Sequence, residues 1–232
     1  MNITVIYGVM HKGSTYHIVK LFLNRLTDDS DKIDEFFLPR DMDQNCCGCF
    51  SCFLNGENTC PHFDKVHPIA ESLEKADLII LSSPVYVFSI SGQLKSLLDH
   101  FGYQWMPHRP NKTMFSKVGL VISTVAGAGM KKANQNMKDN LFYWGVPKIY
   151  SYGKAVEAIG WDSISHEKKN IIEREVNNLS RKIKKSVGRA RPTLKTKIIF
   201  SIMGLMQKKS KWNPTDRDYW EKNGWLTGGR PW

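Results

Sequence analysis

The most chemically suggestive feature of the chain is a cluster of cysteines in one short segment. All five cysteines of the 232-residue sequence fall between positions 46 and 60. Four of them follow the spacing C-x2-C-x2-C-x7-C, and these are Cys46, Cys49, Cys52 and Cys60. Thiols spaced in this way can converge on one small group from a single loop, and several thiolates together favour a soft metal ion or an iron–sulfur cluster. The segment therefore predicts a metal centre.

The spacing leaves the identity of the bound group open. Zinc also binds four thiolates, although structural zinc sites usually pair two C-x2-C knuckles across a longer loop. An empty, redox-active thiol loop is a third interpretation. Cys47 stands beside Cys46, and we expect it not to be a ligand, although it could replace Cys46 or form a disulfide with it in an oxidised sample.

The composition is that of a folded globular protein, with 41% hydrophobic and 24% charged residues. We find no signal peptide at the start and no apolar run of the ~18 residues that a membrane span requires. We therefore expect a cytoplasmic protein, in which clustered cysteines are more often metal-binding or redox-active than disulfide-bonded. Seven histidines are scattered along the chain, and we expect them at the surface or in packing rather than in catalysis.

Strand-like and helix-like patterns alternate along the first 187 residues. The strand-like runs are Ile3–Tyr7, Ile33–Leu38, Asp77–Ser82, Val118–Ser123 and Lys148–Ala155. The helical patterns start at Ser14 and otherwise cover Phe63–Ala76, Ser91–Phe101, Lys131–Trp144 and Ser165–Val187. Five βα repeats predict a three-layer α/β/α fold with an open parallel sheet. In such sheets, ligands bind beyond the carboxyl ends of the strands.

Three loops that follow predicted strands have compositions suited to a ligand. The first, residues 8–15, has Gly13-Ser14-Thr15 at a helix start without a nucleotide-binding glycine motif, which fits a phosphomonoester. The second, residues 82–92, combines a rigid proline with aromatic side chains that could face a flat ring. The third, residues 124–129, has small residues that let the backbone approach a ligand. The alternatives are an ordinary N-cap at Ser14 for the first loop, a packed loop with core aromatics for the second and a plain helix-entry turn for the third.

Taken together, these segments resemble flavodoxin-like NAD(P)H-dependent FMN reductases over about residues 1–187. The resemblance rests on Gly8…Gly13-Ser14-Thr15, Ser83-Pro84-Val85-Tyr86, Gln93-Leu94-Lys95…Leu98-Asp99 and Thr124-Val125-Ala126-Gly127. The inserted cysteine motif is similar to that of the iron–sulfur flavoprotein branch. One departure is Val9-Met10-His11-Lys12, where the family usually has a Ser-Pro or Ser-Arg turn.

The resemblance implies a flavodoxin-like five-stranded sheet of order 2-1-3-4-5 with FMN at the switch point. It implies FMN-phosphate contacts from His11, Gly13, Ser14 and Thr15, ring contacts from Pro84, Val85, Tyr86 and Phe88, and contacts to the other ring edge from Thr124, Ala126 and Gly127. Cys46, Cys49, Cys52 and Cys60 would hold a [4Fe–4S] cluster. We expect an FMN-dependent oxidoreductase with NAD(P)H as co-substrate, a homo-oligomer, passing electrons to a small molecule or a protein. The alternative is a non-enzymatic electron carrier or metal-binding adaptor.

Beyond this flavodoxin-like unit, 1–187, with its cysteine loop, 46–60, the sequence predicts a basic, aromatic C-terminal extension, 188–232. Between positions 176 and 215 lie eleven Lys and Arg residues and no Asp or Glu, while the rest of the chain is balanced. The amphipathic stretch Leu194–Gln207 fits packing on the domain or on a second subunit, which we favour, or peripheral contact with an anionic membrane. The charge supports nonspecific nucleic-acid contact at most. The tryptophans near the end favour a docked arm.

Overall fold

The structure is a computed structural model that describes residues 1–158, 160–210 and 212–232; Lys211, one of the basic residues counted above, lies outside this part of the chain. Five strands form one parallel sheet. The strands are β1 (Asn2–Tyr7), β2 (Lys32–Phe37), β3 (Leu78–Pro84), β4 (Val118–Val125) and β5 (Lys148–Ala155). The helices are α1 (Ser14–Leu26), α2 (Ser51–Leu54), α3 (Phe63–Lys75), α4 (Gly92–His100), α5 (Met130–Trp144), α6 (His166–Ser186), α7 (Leu194–Lys209) and α8 (Pro214–Lys222).

The strand order is β2-β1-β3-β4-β5, which confirms the predicted flavodoxin-like topology. The chain leaves β1 towards β2 on one side and returns to β3 on the other, so the order reverses between β1 and β3. That reversal opens a crevice at the carboxyl ends of these two strands. Predicted and observed element boundaries differ by one or two residues at most ends, as frayed termini lead us to expect.

Two apolar cores lie on the two faces of the sheet. Helices α1 and α6 pack on one face, around side chains such as Phe22 and Val176. Helices α3, α4 and α5 cover the other face, around side chains such as Leu73, Leu97 and Leu141. Because both faces are covered, the central strands are apolar along their length: β3 is buried from Leu78 to Ser83.

The C-terminal extension packs on the flavodoxin-like unit through a third apolar cluster. Phe200 of α7 and Trp220 of α8 stack with ring centroids 4.6 Å apart. They join Met106, Phe115 and Trp225 in a common buried cluster. The tryptophan-rich arm is therefore docked, whereas the division at residue 187 stays a prediction. Helix α8 was missed by the sequence analysis.

Helix α7 also has an outward face that stays exposed and apolar. Its exposed large side chains are Leu194, Ile198, Ile202, Leu205 and Met206. Among the described helices, none combines the length and the apolar character needed to cross a bilayer.

Candidate functional site

The loop after β1 leads into a helix whose N-terminus has no side-chain cap. Gly13 is the N-cap of α1, and no hydrogen bond from a described side chain caps this end, nor is there an acidic residue in the first turn. The N–H groups and the positive end of the helix dipole are thus available to an anion. A Cβ on Gly13 would lie 2.8 Å from the ring of His11, so glycine lets that imidazole fold over the loop.

Ser91 joins the first loop to the second by hydrogen bonds. Its hydroxyl donates to the carbonyl of Gly8 at 2.6 Å and accepts from the backbone N–H of Leu94, which caps α4. The N–H of Gly8 in turn donates to the carbonyl of Ser82 at 2.7 Å. These bonds fix the carboxyl ends of β1 and β3 side by side.

The second loop ends in a tight turn that holds two aromatic rings at the rim. Tyr86 and Ser89 exchange two backbone hydrogen bonds of 2.9 Å. The central residues Val87 and Phe88 both have positive φ, at 49° and 60°. This is the left-handed region that a β-branched residue rarely occupies. The rings of Tyr86 and Phe88 are exposed as a result.

The third loop is joined to both others by buried contacts. The hydroxyls of Thr15 and Thr124 lie 2.6 Å apart and are buried. The N–H of Val85 donates to the carbonyl of Thr124 at 2.9 Å. Gly129 has φ of 108°, and a Cβ there would lie 2.8 Å from Val85, so this position requires glycine for the loops to meet.

Nine of the eleven residues predicted to contact the cofactor line one open crevice, which we call the strand-end cleft. They are His11, Gly13, Ser14, Thr15, Pro84, Val85, Tyr86, Thr124 and Ala126. Phe88 and Gly127 lie in the same loops but outside this lining. Four further residues line the cleft and were not predicted as contacts from the sequence: Val9, Val125, Val156 and Ala158. Val156 and Ala158 follow β5, and small apolar residues after a strand carry no distinctive signal.

All five cysteines line a second pocket, which we call the cysteine pocket. Cys52 and Cys60 are half-buried in it, whereas Cys46, Cys47 and Cys49 are exposed. Gly48 and Phe50 have positive φ, at 65° and 60°, and these two left-handed residues curl the loop around the pocket. The predicted ligands are therefore brought together, and Cys47 lies with them.

The thiols differ in acidity according to their surroundings. Hydrogen bonding from the backbone N–H of Ser51 lowers the pKa of Cys49. Burial raises the pKa of Cys52 to about 11, and charge on Cys60, Cys46 and Cys49 acts in the same direction. Burial also raises the pKa of Cys60. Because thiolates this close repel one another, a cation or a cationic cluster core would stabilise them, so the donor set fits a thiolate-bound metal group.

Two histidines adjoin the cysteine pocket. Nδ1 of His62 lies 3.0 Å from Nε2 of His100. Together with Cys60 they place three potential ligand atoms within 4.8 Å of one another. Burial lowers the pKa of His100, which favours its neutral, ligand-competent form. The sequence predicted packing or surface positions for both histidines, and His100 is indeed buried. Only the position of His62, two residues after Cys60, marks it in the sequence as a possible ligand.

Helix α4 connects the two sites. Its N-cap is Ser91, which belongs to the second loop of the cleft, and it ends at His100, which lines the cysteine pocket. Nine helical residues span about 12–14 Å at 1.5 Å per residue. The two sites are thus separate but close.

The strand order and the position of the cleft define a flavodoxin-like α/β protein with an open crevice at the switch point of the sheet. The sequence profile of the NADPH-dependent FMN reductase family matches residues 1–158. The chain therefore belongs to this family, and α6, α7 and α8 lie beyond the matched residues.

Curated relatives include proteins named iron–sulfur flavoprotein. One from Archaeoglobus fulgidus is 27% identical over 146 residues, which cover 62% of this chain and 64% of that protein. Another from Methanocaldococcus jannaschii is 38% identical over 116 residues, or 50% of this chain and 56% of that protein. The matched region thus spans less than two thirds of either relative.

Solved structures share the fold at low sequence identity. An FMN-dependent NADH-azoreductase from Bacillus anthracis, solved with FMN, superposes with a TM-score of 0.58 at 15% identity over 79% of this chain and all of that one. An NADH:FMN oxidoreductase in its apo form gives 0.52 at 16% identity over 83% of this chain and 98% of that one. At these identities the likeness concerns the fold alone.

Proposed function

We propose that the chain is an FMN-dependent oxidoreductase that takes electrons from NAD(P)H and passes them to a small-molecule or protein acceptor. The observation that carries this proposal is the strand-end cleft, where three loops chosen from the sequence meet beside the uncapped N-terminus of α1. Membership of the NADPH-dependent FMN reductase family supports it.

In this proposal each of the three loops contacts a different part of FMN. The N–H groups and hydroxyls of Ser14 and Thr15, with His11 and Gly13, bind the FMN phosphate. Pro84, Val85, Tyr86 and Phe88 line the isoalloxazine ring, and Thr124, Ala126 and Gly127 contact its other edge. Bound FMN supplies the ability to accept a hydride and to release electrons singly. The protein residues position it and exclude water from one side.

We further propose that Cys46, Cys49, Cys52 and Cys60 hold a [4Fe–4S] cluster. The relatives named iron–sulfur flavoprotein and the four clustered thiols support this assignment. A second candidate is zinc, because Cys60, His62 and His100 also form a compact ligand set. Iron and acid-labile sulfide analysis separates the two, and the variant His100→Ala then shows whether the histidine is a ligand: bound metal should be lost if it is and retained if four thiolates hold the metal.

The flavin proposal is tested by the variant Thr15→Val. Removing this hydroxyl leaves that of Thr124 buried without its partner and removes a phosphate contact, so we expect FMN affinity to fall about tenfold. Titration of the FMN-free protein with FMN, followed by fluorescence, measures the change. Thr27→Val at the other end of α1 is the matched control, since its hydroxyl bonds only the local carbonyl of Leu23 among described atoms. Wild-type protein that does not bind FMN would contradict the proposal.

We infer a homo-oligomer in the cytoplasm, without specific nucleic-acid binding and with the extension as a peripheral membrane contact. The alternative function, a non-enzymatic electron carrier or metal-binding adaptor, predicts no steady NAD(P)H oxidation when an acceptor such as a quinone is added. Sustained turnover would therefore reject that alternative.

A further inference from the structure

Arg109 is a buried cation that holds the helix of the cysteine loop. Its side chain is 5% exposed. The guanidinium donates from Nη1 to the carbonyl of Phe53 at 3.2 Å and from Nη2 to the carbonyl of Cys52. Both carbonyls belong to α2, a single turn whose last carbonyls have no partners within so short a helix. Arg109 thus caps the element that presents Cys52.

The C-terminal extension holds Arg109 in place through Asp216. This carboxylate is fully buried in α8 and accepts from Nη1 of Arg109 at 2.6 Å. Its other oxygen lies 2.7 Å from Nδ1 of His108 and accepts from the amide of Asn213 at 2.8 Å. Loss of either member of such a buried pair leaves an uncompensated charge, which is strongly unfavourable.

The extension also contacts α2 directly. The hydroxyl of Thr215 donates to the carbonyl of Leu54 at 2.5 Å. The last three residues of α2, Cys52 to Leu54, therefore all have carbonyls bonded by Arg109 or by the extension. Asp216 and Thr215 lie beyond the residues that the family profile matches, so this arrangement is a property of the extension.

We propose that Arg109 and Asp216 are positioning residues of the cysteine centre. Through them the C-terminal extension fixes the conformation of α2 and places a buried positive and a buried negative charge beside it. The part of this inference that concerns a bound cluster rests on the proposed function. The part that concerns α2 does not, because the contacts are made by the protein alone.

Arg109 and Asp216 carry opposite charges beside the cysteine centre, so they should act on its reduction potential in opposite directions. The guanidinium of Arg109 donates to the backbone carbonyls of Cys52 and Phe53, so its positive charge lies beside a residue that would be a cluster ligand. A positive charge favours the reduced, more negative state of a thiolate-bound cluster, and a negative charge disfavours it. Neutralising Asp216 should therefore raise the reduction potential of the centre, and neutralising Arg109 should lower it.

The test compares Asp216→Asn, Arg109→Met and a matched control, Glu57→Gln. Glu57 also faces Arg109, but at 3.8 Å and with 53% of its side chain exposed, so its removal should change little. Potentials are measured by anaerobic redox titration of the iron-loaded full-length protein. We expect shifts of opposite sign for the two buried variants and none for the control. Shifts of the same sign, or none, would overturn the electrostatic inference.

Hydrogen exchange on the metal-free protein tests the positioning independently of any cluster. The amides of residues 53–55, which bond within the turn, should exchange at least about tenfold faster in Asp216→Asn and at the wild-type rate in Glu57→Gln. Unchanged exchange in Asp216→Asn would overturn the positioning role. Wild-type protein that takes up no iron would instead contradict the proposed function and leave exchange as the deciding readout.

Discussion

Gly129 sets how closely the second and third loops of the strand-end cleft approach each other. Its φ of 108° and the 2.8 Å that would separate a Cβ from Val85 both exclude a side chain without local movement. Thr15 and Thr124 act in the same way from the other side, by a buried hydroxyl pair. The cleft therefore depends on a few contacts between loops that are far apart in sequence.

We predict that Gly129→Ala weakens FMN binding at least about tenfold, because the strained backbone must shift Val85 and the turn beyond it. FMN titration of the FMN-free protein measures this. Gly92→Ala is the matched control, since a Cβ at Gly92 meets none of the described atoms within 4 Å and alanine suits a helix start. Equal affinities for the two variants would contradict the prediction.

A second residue-scale prediction concerns the buried amine of Lys117, which precedes β4. Its Nζ donates to the carbonyls of Glu74 and Ala76, and burial lowers its pKa from 10.5 to about 8. The folded-state pKa thus lies below the unfolded value, so the cost of the buried charge is fully present below pH 8. As pH rises from about 8 to about 10.5 the unfolded chain holds more protons, and the free energy of unfolding should rise.

Chemical denaturation at several pH values measures the free energy of unfolding of the wild type and of Lys117→Met, which has no titrating amine at this position. As pH rises from about 8 to about 10.5, the unfolding free energy of the wild type should increase relative to that of the variant. Lys75→Met, at an exposed position, is the control and should show no such trend. A constant difference for Lys117→Met would mean that its pKa is not lowered.

At the scale of elements, the turn from Tyr86 to Ser89 is built from residues that do not favour its geometry. Type I′ turns need positive φ at both central positions and favour Asn-Gly, whereas this chain has Val87 and Phe88. Such strain persists near functional sites when the surroundings determine the conformation. Here the two reciprocal hydrogen bonds and the adjoining cleft loops supply those surroundings.

We predict that Val87→Asn raises the free energy of unfolding by about 1 kcal/mol, because asparagine tolerates the left-handed region and valine does not. Val87 is 95% exposed, so little packing is lost. Urea denaturation measures the effect, and Val87→Ala should give a smaller gain. A destabilised asparagine variant would show that the turn is not strained at this position.

The sequence predicted the sheet because its strands and helices have the simplest signals. Continuous apolar runs identified the central strands, and the order of βα units and the family resemblance determined the topology. The loops at the strand ends were found because glycine, proline and hydroxyl residues cluster there. Helix α8 was missed because Pro214 to Lys222 is polar apart from Tyr219 and Trp220, and its burial depends on partners over 100 residues away.

The contacts that join the sites were not predictable for the same reason. Arg109 and Asp216 are 107 positions apart, and each alone resembles an ordinary surface charge in the sequence. His100 carries no motif, and only the fold brings it beside His62. Long-range polar pairs of this kind depend on tertiary packing, which local patterns do not encode.

At the scale of the whole molecule, helix α7 has two apolar faces with different surroundings. Phe200 and Gly204 pack inward, and a Cβ on Gly204 would lie 3.2 Å from Trp220. The outward face, defined above, is exposed and is bordered by lysines at both ends of the helix. An apolar stripe with flanking lysines and no acidic neighbour in sequence matches an anionic lipid surface, and the same charges would repel a second copy of this face.

We predict that the protein co-sediments with phosphatidylserine-containing vesicles, much less with neutral ones, and that salt weakens this binding. Replacing Ile198 and Leu205 by Glu should abolish it, whereas Val87→Glu, at an even more exposed apolar site elsewhere, should not. If the double variant instead changes the oligomeric state by light scattering without affecting vesicle binding, the face is an interface between copies and the prediction is wrong.

The central claim is that one chain carries a flavin in the strand-end cleft and an iron–sulfur cluster in the cysteine pocket. It is tested most directly by measuring FMN, iron and acid-labile sulfide in anaerobically purified wild type and Cys49→Ser. We expect about one FMN and about four iron and four sulfide per wild-type chain, with iron and sulfide lost but FMN retained in the variant. Wild-type protein that contains no FMN, or zinc in place of iron and sulfide, would contradict this account.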